Sequence, residues 1–589
     1  MIKCRLTEHL ENTGFISKNQ AGFRHGHSTY DQIYRLRKDI QHKLSQRKHL
    51  PVVFLDIVKA FDRVQHDRLL YKLYNHAHVS GRAWSWIRAF LTDRQFYVSC
   101  GRIKSNPVFA RAGVPQGTVL APLLFLIYIN DLIPSGLSYS PTFRMNAAMF
   151  ADDVSAWPSM MVKRMSTQYR YMQNFLDYCT KWSEYWKLEF SMDKTQVVLF
   201  HRKRTYSSTL YPSRCPLWLC NRIVMVATSY KYLGLTFDSN GSHASHVTQL
   251  ITKTKITAYQ ISQIFKRNRA PTPIIAYKLI QAILIPQISY GIHFITNIRE
   301  THRNQLHQVI ATPLRRALCL PRTSSAKRVI WEFGLPDVGN IQLRSLYQFY
   351  NRSLLSFNSN PFILPSMFAS DVMMMKYTPT PDPTLLSSSV SSSTSSSTSA
   401  SSVICSLDSF FLNTLRLNPT LTFPIQSQTI FNNHIIQRII SHWDNTARMK
   451  YRDLKPLYDT PLYLSKDRMP AAVIRGRIRL GAALSFKRMW QHRTIDSPKC
   501  PRCSVSGDTY HLLMVCPRFR VVRLKCKDEL KRLYFPVELT MNLIYGMPPP
   551  LPTNHHSFFN KKSFLLRIHE QCLRITGDLL CNISTRHFL

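Results

Sequence analysis

The sequence predicts an α+β fold followed by a mainly helical part. Apolar runs typical of strands and apolar spacings typical of helices are mixed over the first 240 residues, without strict alternation. From about residue 245 the spacing is wholly helical. A Ser/Thr-rich stretch at residues 387–399 then separates this region from a last basic segment.

The length of the chain predicts several domains. At 589 residues it exceeds what one hydrophobic core organises, so two to four domains are expected. The composition divides it into a mixed segment at 1–240, a helical segment at 241–350, a Ser/Thr/Pro-rich linker at 351–405 and a basic helical module at 406–589. The linker is expected to be disordered, because it cannot bury enough apolar area to offset its ordering entropy.

The charge of the chain points to a polyanion. The 77 Lys and Arg residues against 33 Asp and Glu residues give a net charge of +44, and such self-repulsion is relieved when phosphates are bound. Nucleic acid is the first candidate and an anionic membrane surface the second. We find no basic anchor helix and no run of 18 apolar residues, so no membrane partner is expected. The 13 cysteines follow no secretory signal and are typical of an intracellular protein with reduced thiols.

The elements of the first segment follow from local patterns. Residues 1–50 are mostly helical, with a turn at 22–27. The next elements are a buried strand at 51–55, helices at 67–74 and 84–91, a glycine-containing loop at 112–117, an apolar helix at 120–132, a hairpin centred on 152–153, a long helix at 164–188, and strands at 196–200 and 230–237.

Two adjacent carboxylates, Asp152 and Asp153, lie inside an apolar run. Burying each of these charged groups costs on the order of several kcal/mol unless cations compensate the charge. Magnesium is the natural compensator, since it takes carboxylate oxygens together with substrate phosphates. Asp56, at the end of the buried strand, would complete a site for two metals about 3.5–4 Å apart, the arrangement for in-line phosphoryl transfer. The alternatives are a solvated Asp-Asp turn and a simple turn or cap role for Asp56.

Five stretches in one order resemble the reverse transcriptase domain of non-LTR (LINE-type) retrotransposons. They are residues 20–29 (a fingers motif), 54–62 (palm motif A), 113–131 (motif B), 150–153 (motif C) and 232–234 (the primer grip). The resemblance implies a right-hand polymerase, with partial fingers and palm at 1–240 and a helical thumb at 241–350. The chain begins in the middle of the family's fingers region, so we expect it to be truncated at its amino end and to lack an endonuclease domain.

The resemblance also implies roles at the catalytic centre. Asp56 and Asp152 would bind two Mg²⁺ ions, with help from the carbonyl of Ile57, and Asp153 would be the third carboxylate. Lys194 matches a palm lysine that protonates the pyrophosphate leaving group. An exposed lysine without a role is the alternative.

Further roles concern the nucleotide and the primer. Phe61 would exclude a 2′-hydroxyl and so select deoxynucleotides. Gln116 and Gly117 would line the incoming dNTP, and Arg24 would meet its triphosphate, unless it is an ordinary surface arginine. Tyr232, Leu233 and Gly234 would form the primer grip. Ser191 and His27 depart from the family, which usually has Asn and Arg or Lys there.

A cysteine and histidine cluster lies near the carboxyl end. Cys500, Cys503, His511 and Cys516 have the spacing C-x2-C-x7-H-x4-C, which suits structural, tetrahedral Zn²⁺. A chance grouping is the alternative. Similar clusters occur near the carboxyl ends of LINE-type proteins. Arg502, Arg518 and Arg520 flank this one, so an RNA-binding knuckle and a purely structural clip both stay open.

The hypothesis is an RNA-directed DNA polymerase that uses two Mg²⁺ ions to add dNTPs to a 3′-OH primer, usually nicked target DNA, on an RNA template. The alternative is an inactive remnant that only binds RNA or DNA. A group II intron maturase is a weaker third candidate. The location expected from the family is the nucleus, with a cytoplasmic ribonucleoprotein stage.

Overall fold

The computed structural model describes residues 1–202, 216–265, 271–295, 298–357, 461–467, 469–480, 482, 491, 496–533, 537–549 and 562–586. These residues form two compact units. One contains Met1–His246 and residues 349–357, and the other contains Val247–Gln348 and the described residues after 460. Nearly all of the linker predicted at 351–405, and residues 406–460 of the module predicted after it, lie outside the described residues.

The first unit combines helices and strands, which confirms the predicted α+β character of residues 1–240. Its helices are α1 (Ile2–Asn12), α2 (Thr29–Ser45), α3 (His66–Asn75), α4 (Gly81–Leu91), α5 (Ala121–Ile129) and α6 (Met165–Trp186). Its strands are β1 (Leu50–Leu55), β2 (Gln95–Phe96), β3 (Ser99–Cys100), β4 (Ile103–Lys104), β5 (Val108–Phe109), β6 (Met145–Phe150), β7 (Asp153–Pro158), β8 (Gln196–Phe200), β9 (Trp218–Leu219), β10 (Arg222–Ile223), β11 (Met225–Ala227), β12 (Ser229–Tyr232) and β13 (Leu235–Asp238).

A five-stranded sheet in the order β11-β8-β1-β7-β6 organises this unit. The central strand β1 pairs antiparallel with both β7 and β8, and β11 runs parallel to β8. All six residues of β1 are buried, because the strand has neighbours at both edges and packed layers on its faces. The long amphipathic helix α6 and the apolar helix α5 contribute to one core with this sheet. Eight of the nine residues of α5 are buried, as its uniformly apolar sequence predicts.

A lysine is buried in this core. The Lys72 ammonium donates to the Asp131 carboxylate at 2.6 Å and to the Tyr128 carbonyl, and it lies 3.6 Å from the centre of the Trp186 ring. Burial lowers its pKa to about 8, although Asp131 acts in the opposite direction. The surrounding aromatic rings therefore hold a cation that would be better solvated in water.

A two-part β ribbon runs from Arg94 to Ala110. Strand β2 pairs with β5, and β3 pairs with β4 nearer the tip. Its aromatic and aliphatic side chains are exposed, namely those of Phe96, Tyr97, Val98, Ile103, Val108 and Phe109. Every residue assigned to its four short strands is exposed, so the ribbon stands outside the core of the unit.

The described part of the second unit is mainly helical. Its helices are Ala244–Ile264 (which begins in the first unit), Pro273–Leu279, Ile285–Ser289, Glu300–Ala317, Ala326–Glu332, Val338–Phe357 (which ends in the first unit), Tyr463–Lys466, Met469–Arg479, Arg520–Lys531, Met541–Ile544 and Lys562–Arg586. Buried ion pairs join its elements. Arg475 pairs with Asp467, and Glu332 accepts from both Arg479 and the Tyr463 hydroxyl.

One stretch of this unit, Pro273–Phe294, is long and apolar enough to cross a membrane by length and composition alone. Ala276, Ile280, Leu284, Ile288 and Ile292 recur along it and are buried in the core of the unit. A core helix of a soluble protein passes the same test, so the stretch is weak evidence for a membrane span.

Candidate active site

Asp56 and Asp153 lie side by side because of strand register. Leu55 in β1 faces Val154 in β7, so the next residue, Asp56, comes level with Asp153 at the end of both strands. Two further bonds fix Asp56: its amide donates to the Thr195 hydroxyl at 3.3 Å, and its carbonyl accepts from the Ser191 amide at 2.8 Å. The predicted convergence of two strands on one carboxylate cluster is therefore observed.

Asp152 lies in the turn of the β6–β7 hairpin. Phe150 pairs with Asp153, which leaves Ala151 and Asp152 as the two residues that connect the strands. Ala151 is buried and has a φ of +56°, a left-handed conformation that usually calls for glycine. The hairpin was predicted from the sequence, but the unusual conformation of Ala151 was not.

The site concentrates negative charge. Partial loss of surrounding water and repulsion by Asp152 and Asp56 together raise the pKa of Asp153 to about 6, although its side chain is exposed. Burial also raises the pKa of Asp152, with Asp56 again contributing. Three clustered carboxylates are a donor set suited to hard divalent cations.

Lys194 joins the carboxylates, as the sequence predicted. Its ammonium lies 3.4 Å from the Asp56 carboxylate, and its side chain is 70% exposed. The segment that carries it is held against the end of β1, since Val58 donates to the Glu189 carbonyl and Ile57 pairs with Phe190. The backbone hydrogen bonds of this pairing are made by the residues on either side of Ile57, namely Asp56 and Val58. The Ile57 carbonyl therefore points away from Phe190 and is not used in the pairing.

The predicted nucleotide-binding residues lie next to one another. The Phe61 ring stacks on Phe125 at 4.4 Å between centroids and meets the edge of Phe23 at 6.2 Å. The Val114 amide donates to the Phe61 carbonyl at 2.9 Å, which fixes the glycine-containing loop beside that ring. Gln116, exposed in this loop, donates to the Asp62 carboxylate at 3.2 Å.

Two glycines give this loop its path. A Cβ at Gly113 would lie 2.9 Å from the Asp62 carbonyl oxygen, so only glycine allows the loop to approach so closely. Gly117 is exposed, has a φ of +86° and has open space around it. Phe61, Gln116 and Gly117 therefore border one surface, as predicted.

Arg24 is bonded to other groups of the protein in this structure. Its guanidinium forms a two-point ion pair with Glu11 at 2.6 and 2.9 Å, and donates to the carbonyls of Ser17 and Gln20. Contact with a triphosphate would require these bonds to break. In this structure Arg24 therefore fixes the loop that follows α1. Its pairing with Glu11 depends on how α1 packs.

The side chain of Tyr232 lies inside the first unit. Its side chain is buried, its ring packs 5.5 Å from Phe54, and its hydroxyl donates to the Ala148 carbonyl at 3.2 Å. The side chain is therefore part of the sheet's packing and is not available to a primer. Leu233, half-buried, and Gly234, exposed, form the turn between β12 and β13, both with positive φ.

Sequence reasoning missed three residues at the site. The Gln20 side chain bonds to both polar groups of Ala151. Gly22 lies against the same turn. Tyr230 stacks on Phe54 at 4.2 Å, and burial together with Asp153 and Asp56 raises its pKa to about 12. Gln20 and Gly22 stand inside the predicted fingers motif, but nothing in a local pattern indicates a contact 131 residues away.

The cysteine and histidine cluster is assembled in the second unit. The ligand atoms of Cys500, Cys503, His511 and Cys516 all lie within 4.8 Å of one another. The Cys516 sulfur is 3.9 Å from that of Cys500 and 3.8 Å from that of Cys503. Tetrahedral zinc with Zn–S bonds of about 2.3 Å requires sulfur separations of about 3.8 Å. Among the described residues, the buried Nε2 of His511 has no hydrogen-bond partner. The donor set therefore fits zinc.

Comparison with known proteins gives consistent matches over the first part of the chain. Residues 1–237 match the reverse transcriptase (RNA-dependent DNA polymerase) family. The RNA-directed DNA polymerase from mobile element jockey of Drosophila melanogaster is 27% identical over 60% of this chain and 37% of its own length. The probable RNA-directed DNA polymerase from transposon BS of the same fly is 30% identical over 46% of this chain and 29% of its own. The chain thus spans about a third of the length of these relatives.

Among solved structures, telomerase from Candida tropicalis in complex with a fragment of telomeric RNA aligns with 64% of this chain and 54% of its own. The identity is 10% and the TM-score is 0.33, too low to establish a common fold.

Proposed function

We propose that the chain is an RNA-directed DNA polymerase, because residues 1–237 match the reverse transcriptase family and its relatives include RNA-directed DNA polymerases of mobile elements. It extends a 3′-OH DNA primer with dNTPs along an RNA template. Residues 1–240 contain its fingers and palm motifs, and residues 241–350 are its thumb. Its RNA and DNA partners are consistent with the net charge of +44, and its site of action is the nucleus, reached from a cytoplasmic ribonucleoprotein.

The observation that carries the proposal is the meeting of Asp56, Asp152 and Asp153 at the end of paired strands, with Lys194 as the nearby cation. The raised pKa values of Asp152 and Asp153 mean that the cluster lacks sufficient positive charge of its own. Asp56 and Asp152 would hold Mg²⁺, with the Ile57 carbonyl as a further oxygen. When bound, two such ions supply the charge that stabilises the triphosphate and activates the primer hydroxyl.

The remaining steps belong to the chain's own side chains. Lys194, exposed and 3.4 Å from Asp56, is free to move toward a leaving pyrophosphate and give it a proton. The Phe61 ring is held by Phe125, so it cannot turn aside for a 2′-hydroxyl, and this favours deoxynucleotides. Gln116 and Gly117 border the same space and would contact the base or sugar.

The cluster of Cys500, Cys503, His511 and Cys516 would hold a structural zinc ion in the carboxyl-terminal module. Four protein ligands leave no open position, so zinc would add stability and not chemistry. The chain forms a tight turn after Cys500, in which the amides of Cys503 and Ser504 both donate to the Cys500 carbonyl. Whether Arg502, Arg518 and Arg520 bind RNA is tested by replacing them together and measuring RNA affinity at two salt concentrations.

Primer extension on an RNA template with Mg²⁺ tests the proposal. The unmutated chain should extend the primer, and Asp152→Ala should abolish extension while RNA binding survives. Asp177→Asn, which removes a charge from an exposed position of α6, is the matched control and should extend normally. Binding without extension by the unmutated chain would instead identify an inactive nucleic-acid-binding remnant.

A further inference from the structure

We infer that Gln20 is a positioning residue, whose side-chain amide holds the turn that presents Asp152. The inference rests on the proposed polymerase function, because it concerns how the site for the catalytic metal is shaped.

Ala151 adopts a conformation that alanine does not favour. Its φ of +56° is left-handed, which costs a residue with a Cβ about 1–2 kcal/mol. The residue is buried and immediately precedes Asp152, so its backbone angles determine where the Asp152 carboxylate points. Such a conformation persists only when the surrounding structure imposes it.

Gln20 supplies that constraint. Its Oε1 accepts from the Ala151 amide at 2.9 Å, and its Nε2 donates to the Ala151 carbonyl at 3.2 Å. One side chain therefore satisfies both backbone polar groups of the strained residue, which the β6–β7 pairing leaves unused at the turn. Gln20 is 3% exposed, so water cannot replace these bonds without opening the core.

The Gln20 amide is itself held in one orientation. Its Oε1 also accepts from the Gly22 amide at 2.8 Å. Backbone bonds on both sides of Gln20 join its segment to β6, since Met149 donates to the Asn19 carbonyl and Ala21 donates to the Met149 carbonyl. The backbone at Gln20 thus forms an isolated parallel β-bridge with β6, and the Gln20 side chain reaches past the end of that strand to the turn.

The test replaces Gln20 by methionine, which keeps the volume and removes all three side-chain bonds. For Gln20→Met, kcat should fall by about 10–100-fold, the range expected for a shift of up to 1 Å in a catalytic group, while KM for dNTP changes less than about twofold. Calorimetric titration with Mn²⁺, with Asp152→Ala as the baseline, should give weaker binding. Adding Ala151→Gly should recover part of both losses, because glycine adopts the left-handed conformation without cost.

The controls separate positioning from general destabilisation. Gln168 is also a buried glutamine in the first unit, with one bond from its amide to the Val162 carbonyl, and Gln168→Met should leave kcat and Mn²⁺ affinity unchanged. If Gln20→Met does not fold, Gln20→Glu keeps an acceptor, replaces the Nε2 donor by oxygen and adds a buried charge, and should also lower kcat and Mn²⁺ affinity.

Mn²⁺ affinity and kcat within twofold of the unmutated chain in the Gln20 variants would overturn the inference, as would equal losses in Gln168→Met. Failure of the proposed function would look different, since the unmutated chain would then not extend a primer. The effect of Gln20 on Mn²⁺ affinity would still be measurable.

Discussion

Replacing Gly22 by alanine should damage the candidate active site, because residue 22 lies against the turn that carries Asp152. A Cβ at this position would lie 2.3 Å from the Ala151 amide nitrogen and 3.1 Å from the Ala151 Cα. Both are backbone atoms, so no side chain can turn aside. Gly22 does not have a positive φ, so the backbone itself would accept alanine and the effect would be purely steric.

The size of the effect follows from these distances. Ordinary contact begins at 3.4 Å, so the two backbones must separate by about 1 Å in a close-packed interior. The Gln20 Oε1 bonds to Gly22 and Ala151 are 2.8 and 2.9 Å long, and at least one would stretch beyond hydrogen-bonding range. Losing one buried bond costs about 1–3 kcal/mol of stability. Moving the Asp152 turn by about 1 Å should lower kcat about 100-fold.

Single-turnover primer extension at saturating dNTP measures the rate, and urea unfolding measures the stability. Gly339→Ala is the matched control, because its Cβ would lie at 3.4 Å from Asp337 Oδ1, an ordinary contact, within a helix where alanine is favoured. A Gly22→Ala protein with an unchanged rate would refute the reasoning. So would a rate loss fully matched by Gly339→Ala.

Three further outcomes are expected. Phe61→Val should raise the use of ribonucleotides relative to deoxynucleotides by about 10–100-fold in kcat/KM, measured in parallel extension reactions, because it removes the ring proposed to exclude a 2′-hydroxyl. An unchanged ratio would contradict this role of Phe61. Burial lowers the pKa of Lys72 to about 8 in the folded chain, against 10.5 ordinarily. Between these two pH values the unfolded chain binds more protons than the folded chain, so the free energy of unfolding rises with pH. The rise across the whole window is about 3 kcal/mol. In Lys72→Met, the free energy of unfolding measured with urea should no longer rise over this pH range. An identical pH dependence in both proteins would contradict the assignment to Lys72. Chelation, or Cys503→Ser, should remove one equivalent of zinc by metal analysis and lower the melting temperature; a protein that never contains zinc would contradict the assignment.

Much of the catalytic centre could be predicted from the sequence because its parts are local. Asp56 ends a continuous apolar strand, and Asp152 lies between two apolar runs of hairpin length. Both patterns fix the position of a carboxylate at a strand end, and the structure adds only the register that aligns Asp56 with Asp153. A short segment connects the long helix α6 to Lys194, and that segment pairs with the end of β1.

The sequence does not predict the partners of side chains whose contacts are distant along the chain. Arg24 was expected at the triphosphate, but Glu11, one helix earlier, takes its guanidinium, and only the packing of α1 decides this. Tyr232 was expected at the primer, yet strand alternation places it on the buried face with Tyr230, while Lys231 between them is exposed. That alternation was visible in the sequence. The contact between Gln20 and Ala151 was not, because it depends on tertiary structure.

The exposed ribbon between Arg94 and Ala110 has a consequence for how the chain can be handled. The ribbon lies outside the core, whereas the segments before and after it, including β1, α5 and β7, share one core. A break at its tip, near Gly101, should therefore leave two pieces that reassemble by packing. Asp56 would lie in one piece and Asp152 in the other, so neither alone would hold a complete set of carboxylates. If the chain has the proposed polymerase activity, DNA synthesis after mixing separately produced pieces would report their association. The two pieces would then form a split polymerase.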